Sequence, residues 1–298
     1  MPQPRFVLRR TFERLLGPNA LAYLLHLRPL EWPIMSAHFL LGTLLAVGWA
    51  LPARSTFLGW FVFVALLNGG TLAINSAFDQ DEGDIGYLKS PPKPPEHLLA
   101  FSSVLLAASV FLGWLLPRPF FWINLACVAM SVLYSAPPVR LKARAGWDLL
   151  INCIGFGLLT PLAGWALTGR PFSPSIVAAS VGFAFLFATL YPMTQIYQVA
   201  EDGRRGDRTL VIRVGVGRSL GLALVAMLLA HLWFAWAVVL LKRSPLPLLL
   251  SLAAWLGVLL PWMARWRRWT DAQHEAGMYR GLVAWAITDL SLLALLWI

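Results

Sequence analysis

A chain of 298 residues that is 58% hydrophobic and only 13% charged excludes an ordinary soluble fold, in which about a quarter of residues are charged. Its formal net charge of +10 would suit a nucleic-acid partner if the basic residues formed one folded patch. They lie instead in short segments between long apolar runs, so nucleic acid is not an expected partner.

A helix that crosses a bilayer takes roughly 20 apolar residues, because its N–H and C=O groups can pair only within their own segment. About nine stretches reach that length: Pro33–Leu51, Phe57–Phe78, Leu98–Leu116, Phe120–Ala136, Leu149–Thr168, Ser175–Tyr197, Leu220–Leu241, Leu246–Arg265 and Leu282–Ile298. The expected fold is an all-α, polytopic membrane bundle over 33–298, behind a basic segment over 1–32 that carries Arg5, Arg9, Arg10, Arg14 and Arg28. The first apolar run is longer than a signal-peptide core and no small-residue cleavage site stands out, so it is expected to be retained.

With these spans, the basic residues alternate between rich and poor connections. All but Arg54, Arg118, Arg170, Lys242 and Arg243 fall on one face, which the positive-inside bias makes cytoplasmic, together with the N-terminus. The chain is therefore expected in a bacterial plasma membrane, with anionic lipid headgroups and an anionic substrate as partners. Cys127 and Cys153 lie far apart inside spans, where small core residues are expected rather than a disulfide or metal ligands.

The bias rule says little about acids, yet they gather on the same face. Asp79, Asp81, Glu82, Asp84 and Glu96 follow the second span; Glu201, Asp202 and Asp207 follow the sixth; Glu13, Glu31, Asp148, Asp271 and Glu275 flank spans, and Asp289 alone lies deep within one. Two polar stripes lead to them. Asn68, Thr71, Asn75 and Asp79 share one helix face, and Tyr191, Gln195, Gln198 and Asp202 repeat the spacing. Such stripes suit either hydrogen bonding between helices or a lined cavity, and the acidic run either a solvated loop or a metal site. Two acidic segments at one depth, with basic loops around them, favour Mg²⁺ bridging a diphosphate whose outer oxygens meet Lys and Arg. A lipid diphosphate would place its head there and its tail among the helices.

The stretch Asn75-Ser-Ala-Phe-Asp79-Gln-Asp81-Glu-Gly-Asp84 resembles the first aspartate-rich motif of the UbiA superfamily of intramembrane prenyltransferases. Gln198-Val-Ala-Glu201-Asp202-Gly-Arg-Arg-Gly-Asp-Arg-Thr209-Leu210 resembles the second. Tyr134-Ser-Ala-Pro-Pro-Val-Arg140-Leu-Lys142 is similar to the segment after the fourth helix in chlorophyll-synthase-like members, and Arg28-Pro29 fits ahead of the first helix. The resemblance implies Mg²⁺-dependent transfer of a prenyl group from a prenyl diphosphate to a hydrophobic, membrane-associated acceptor, aromatic or lipid. It implies metal ligation by Asn75, Asp79, Asp81, Gln198 and Asp202, with Asp79 and Asp202 central to catalysis. Tyr134, Arg140, Lys142, Lys89 and Arg205 would hold the diphosphate, with Asp84, Glu201 and Arg208 as further candidates. Gly83 and Gln198 stand where the family pattern has acids, which lowers the negative charge and leaves the number of Mg²⁺ ions open.

Two other functions are weighed. A cyclase or diphosphate lyase would ionise the same substrate without an acceptor. A transporter or lipid-binding protein would use polar stripes as a pathway. Among lone residues, His38 and His231 are expected to bond neighbouring helices, and His97 and His274 to lie in loops. Asp289 is expected to meet a neighbouring helix, and Pro91, Pro92, Pro94 and Pro95 to form a stiff connector flanked by Lys89 and Lys93.

Overall fold

Punctuation by proline, glycine and hydroxyl side chains sets where the helices begin and end. In a computed structural model that describes residues 12–79, 88 and 90–297, with the side chain of Arg205 also outside the description, Pro52, Pro117 and Pro245 stand at N-caps. Ser173 caps the next helix by accepting from the Ile176 N–H, with Pro174 at its first position, where a missing N–H costs nothing. Gly48 ends an earlier helix at φ 66°, a backbone region closed to most side chains.

The helices, in chain order, are α1 (Pro18–His26), α2 (Trp32–Val47), α3 (Ala53–Asp79), α4 (Leu98–Gly113), α5 (Arg118–Ser135) and α6 (Trp147–Ala166). They continue as α7 (Pro174–Ile196), α8 (Val199–Arg205), α9 (Leu210–Val214), α10 (Val216–Leu240), α11 (Leu246–Arg265) and α12 (Asp271–Ala294). Each predicted apolar stretch falls on one of these helices. By length and composition, five helical stretches among the described residues suffice to cross a membrane: α3, α6, α7, α10 and α11 with its following turn; α2 and α4 are shorter apolar helices. Exposed apolar side chains such as Phe111, Leu232, Leu250, Val283 and Leu290 stud the outer faces, as lipid contact requires.

Two sequence expectations need correction. The last helix starts at Asp271, well before the predicted span at Leu282, because Thr270 and Gln273 form a reciprocal capping box; His274 is therefore a buried helical residue rather than a loop residue. The polar stripe from Tyr191 to Asp202 does not lie on one helix. Its backbone turns tightly after Ile196, with the Gln198 N–H bonding the Gln195 carbonyl, and α8 begins anew.

Two apolar cores flank the centre. One joins α7, α10, α11 and α12 through Phe183, Met227, Phe234, Trp255 and Trp262; the other joins α2, α3, α5 and α6 through Phe39, Phe63, Phe120 and Ala163. In the second core, α2 and α6 touch backbone to backbone. A Cβ on Gly42 would fall 2.0 Å from the Pro161 carbonyl oxygen, and one on Gly164 1.8 Å from that of Phe39. Both cavity-facing helices α3 and α6 widen into π-helical stretches, Phe61–Asn68 and Cys153–Leu159, an arrangement that often marks functional sites.

Candidate active site

Between the two cores lies a cavity of about 420 Å³. The α3 stripe lines it in full, from Asp79 through Asn75 and Thr71 to Asn68, and apolar Leu67 and Phe63 continue the wall. At 1.5 Å per residue, Asp79 to Phe63 is about 24 Å of depth, most of a hydrocarbon core. One end is polar and charged; the other is walled by Phe63, Phe156, Phe187 and Trp285.

The charged end is tightly cross-linked. Lys142 Nζ donates to Asn75 Oδ1 at 2.6 Å and pairs with Asp79 Oδ1, and Ser135 Oγ donates to the same Asn75 oxygen at 3.3 Å. Arg140 Nη2 meets Asp79 Oδ1 at 3.2 Å while its Nη1 meets Asp207 Oδ1 at 3.0 Å, so one guanidinium spans both acidic segments. Arg140 holds φ 37° and opens the short 3-10 turn Leu141–Ala143, which brings Arg140 and Lys142 to the same carboxylate. On the second segment, Gln198 caps α8, Glu201 and Asp202 sit in its first turn, and these residues line the cavity with Asp207 and Thr209. Tyr134 and Tyr191, on α5 and α7, face one another across the wall with hydroxyls 3.0 Å apart.

Of the predicted site residues, Asn75, Asp79, Tyr134, Lys142, Gln198, Glu201 and Asp202 share this cavity, and Arg140 bridges its acids. Arg208 does not join them: it is exposed, and its backbone forms a bridge with Arg144. Asp81, Asp84, Lys89 and the Arg205 side chain lie outside the described residues. Sequence reasoning missed Asp207, Tyr279 and the ends of Arg28 and Thr209 as wall residues. It also missed Asp148 beneath the wall, a lone acid at the start of an apolar helix, which was the available signal.

Deeper in, His38 lies against Asp289, Nε2 to Oδ1 3.4 Å, and accepts the Trp285 indole N–H. The interhelical role expected of His38, and a neighbour for Asp289, are both present. His231 likewise bonds Ser251 on α11 at 2.9 Å. His26 of α1 is fully buried with Nε2 3.1 Å from the Pro92 carbonyl, tying the proline connector to α1. Burial pulls its imidazole below the usual range near 6.5, and neighbouring Arg28 pulls the same way; the bond to Pro92 opposes them.

The sequence profile of the UbiA prenyltransferase family matches residues 34–287. The chain belongs to that family. With it the expected enzyme class, prenyl transfer, is borne out, and the protein is an integral membrane protein. A digeranylgeranylglyceryl phosphate synthase of Natronomonas pharaonis is 29% identical over 85% of this chain and 91% of its own. One from Methanothrix thermoacetophila is 28% identical over 69% and 78%. A UbiA homolog from Archaeoglobus fulgidus bound to DMAPP and Mg²⁺ shares the fold, with TM-score 0.70 and 20% identity over 91% of this chain and 99% of that one. The same homolog bound to GPP and Mg²⁺ gives a TM-score of 0.68 at 20% identity, over 92% and 99%.

Does this UbiA family member have the donors a Mg²⁺ ion needs? Among the described residues, no three His, Cys, Asp or Glu side chains converge as a metal site. The wall instead offers amide and carboxylate oxygens from Asn75, Asp79, Gln198 and Asp202. That set is all oxygen, and Mg²⁺ typically takes one or two protein carboxylates and completes its shell with water and substrate phosphates. Among the described residues, Arg28 Nε, Asn68 Nδ2 and Thr209 Oγ1 are buried on the same wall without hydrogen-bond partners, which fits a polar ligand. The residues fit the ion.

Proposed function

We propose that this protein transfers a prenyl group from a prenyl diphosphate to a membrane-associated acceptor, with Mg²⁺ held by Asn75, Asp79, Gln198 and Asp202. The observation that carries this reading is the single cavity in which paired acidic segments and two cations give way to an apolar, aromatic-walled tunnel. Lys142 and Arg140, now paired with Asp79, would exchange part of that pairing for diphosphate oxygens, holding the leaving group where its negative charge grows. Bound Mg²⁺ would add Lewis-acid neutralisation of the diphosphate. The C1–O bond would break with its electron pair leaving on the diphosphate; the acceptor atom would bond to C1 and pass its proton to the departing diphosphate. The tail would lie along Leu67, Phe63, Phe156 and Phe187, whose dry surfaces exclude water from the allylic cation. Tyr134 would steady the head from the wall, with Glu201 beside the acids; Lys89, Arg205, Asp81 and Asp84 are candidates from the sequence alone.

The acceptor is aromatic or lipid; the names of the archaeal relatives favour a lipid. The nine apolar helices would span the membrane, with the charged end and the 1–32 segment cytoplasmic by the positive-inside bias, in a bacterial plasma membrane. The full chain in lipid nanodiscs, given geranyl diphosphate, Mg²⁺ and a membrane lipid extract, should form a prenylated product. Asp79→Ala and Asp202→Ala should abolish it. Full activity in either variant would refute the site assignment, and a hydrocarbon or terpenol product without acceptor would convert the reading to a cyclase.

A further inference from the structure

Asp148 takes no part in the chemistry above, yet it is fully buried at the start of α6. Its Oδ1 accepts the Gly146 N–H at 2.8 Å; its Oδ2 accepts the Gln195 side-chain amide at 2.8 Å and the Leu210 N–H at 3.3 Å. The donors come from different stretches of chain. Gly146 follows the loop that carries Arg140 and Lys142. Gln195 precedes the second acidic segment and Leu210 follows it, so both ends of 198–209 are fastened to one carboxylate. Gln195 Oε1 then accepts the Val211 N–H at 3.4 Å, and the Arg144–Arg208 backbone bridge runs between the same two segments.

An acid in the first turn of a helix ordinarily serves the helix that bears it. Here only Gly146 belongs to the start of α6; the other donors belong to the chain on either side of the second acidic segment. Helix capping therefore leaves most of the bonding unexplained. Charge-assisted bonds of this kind are the strong ones, and a buried donor stripped of its acceptor is costly, so the joint is stiff.

We propose that Asp148 is a positioning residue: it fixes the spacing between the cations of the 140–144 loop and the oxygens of Gln198, Glu201, Asp202 and Asp207, and through that spacing sets the affinity for Mg²⁺–diphosphate. This rests on the reading of the cavity as a diphosphate site. Asp148→Asn keeps shape but turns an NH₂ group toward N–H donors, leaving at least one of them without an acceptor. Gln195→Glu sets two carboxylates face to face. In the double variant the amide and the carboxylate exchange places and that pair again has one donor and one acceptor, while the Leu210 N–H, which shares Oδ2, stays without its acceptor.

The test is calorimetric binding of geranyl diphosphate across a Mg²⁺ titration to the full chain in lipid nanodiscs, with thermal unfolding in parallel. Each single variant should weaken binding roughly tenfold or more, as loss of outer-shell support does, and the double variant, with the 148–195 bond restored, should recover part of it. Binding and Mg²⁺ dependence unchanged in Asp148→Asn, whatever its melting temperature, would overturn the proposal; so would a double variant no better than the worse single. If Asp148→Asn does not fold, Gln195→Met, which removes one donor to Asp148 together with the acceptor of the Val211 N–H, carries the test: binding a few-fold weaker supports the proposal and unchanged binding overturns it. Absence of binding by the unaltered protein would instead overturn the diphosphate reading, and this inference with it.

Discussion

The two acidic segments read alike as sequences but are built differently. The described part of the first, Asp79, ends α3, a helical run from Ala53 with a π-helical stretch at Phe61–Asn68, so its polar stripe follows from position along one helix. The second is assembled from the end of α7, the short α8 and the start of α9, with Gly206 at φ 78° closing α8. Asp148 and Arg140 bond to it and to its flanks from other elements. A stripe on a rigid helix is preorganised by its backbone, whereas a segment of short pieces depends on side-chain bonds, so the two should respond differently to substitution.

The largest effect should come from the rigid side. Asp79→Ala should cut kcat by roughly a hundredfold to a thousandfold, the range for losing a charge-stabilising group, and lower the melting temperature as well, because Lys142 and Arg140 lose the carboxylate they pair with. An equal loss of stability and activity would put the two segments on the same footing. Lys142→Met, which leaves both Asn75 and Asp79 without this donor, should cost roughly tenfold to a hundredfold in kcat/KM for the prenyl diphosphate. Gln198→Asp would return a carboxylate to the second segment and should lower the half-saturating Mg²⁺ concentration by about threefold, since ligand charge tunes affinity. An unchanged Mg²⁺ requirement would place Gln198 outside the ligand set.

The smallest effect concerns the contact between α1 and the proline connector. His26 is held neutral, its pKa lowered in the folded protein, so the stability it contributes is complete above about pH 6.5 and is lost as pH falls through the folded value. Between pH 7 and pH 5 the melting temperature should drop by roughly 1–2 °C more in the parent than in His26→Asn, whose amide can still donate to Pro92. Identical slopes would remove His26 from the account.

What was legible in the sequence follows the same division. Hydropathy located every long helix, because apolar length is a local property, and periodicity placed Asn68, Thr71, Asn75 and Asp79 on one wall. The motif resemblance brought Tyr134, Arg140 and Lys142 to the acids. The break after Ile196 was not legible, since nothing between Tyr191 and Asp202 is a strong helix breaker except Pro192, which the helix tolerates; the Gln195 side chain at the turn is bonded by Asp148 from another helix. Asp207 and Asp148 gain their roles only from partners more than forty residues away in sequence, Arg140 for the one, Gln195 and Leu210 for the other. The early start of α12 was legible in Thr270 and Gln273, but the hydrophobic run at Leu282 dominated the reading.

The central claim is that the cavity joins a prenyl chain to an acceptor rather than merely holding a lipid. Mass spectrometry of lipids from cells that carry the protein, compared with cells that carry Asp79→Ala at equal abundance, tests it most directly. A prenylated species should be present with the parent and missing with the variant. Identical lipid profiles, from membranes in which both proteins are folded and substrate is supplied, would contradict it.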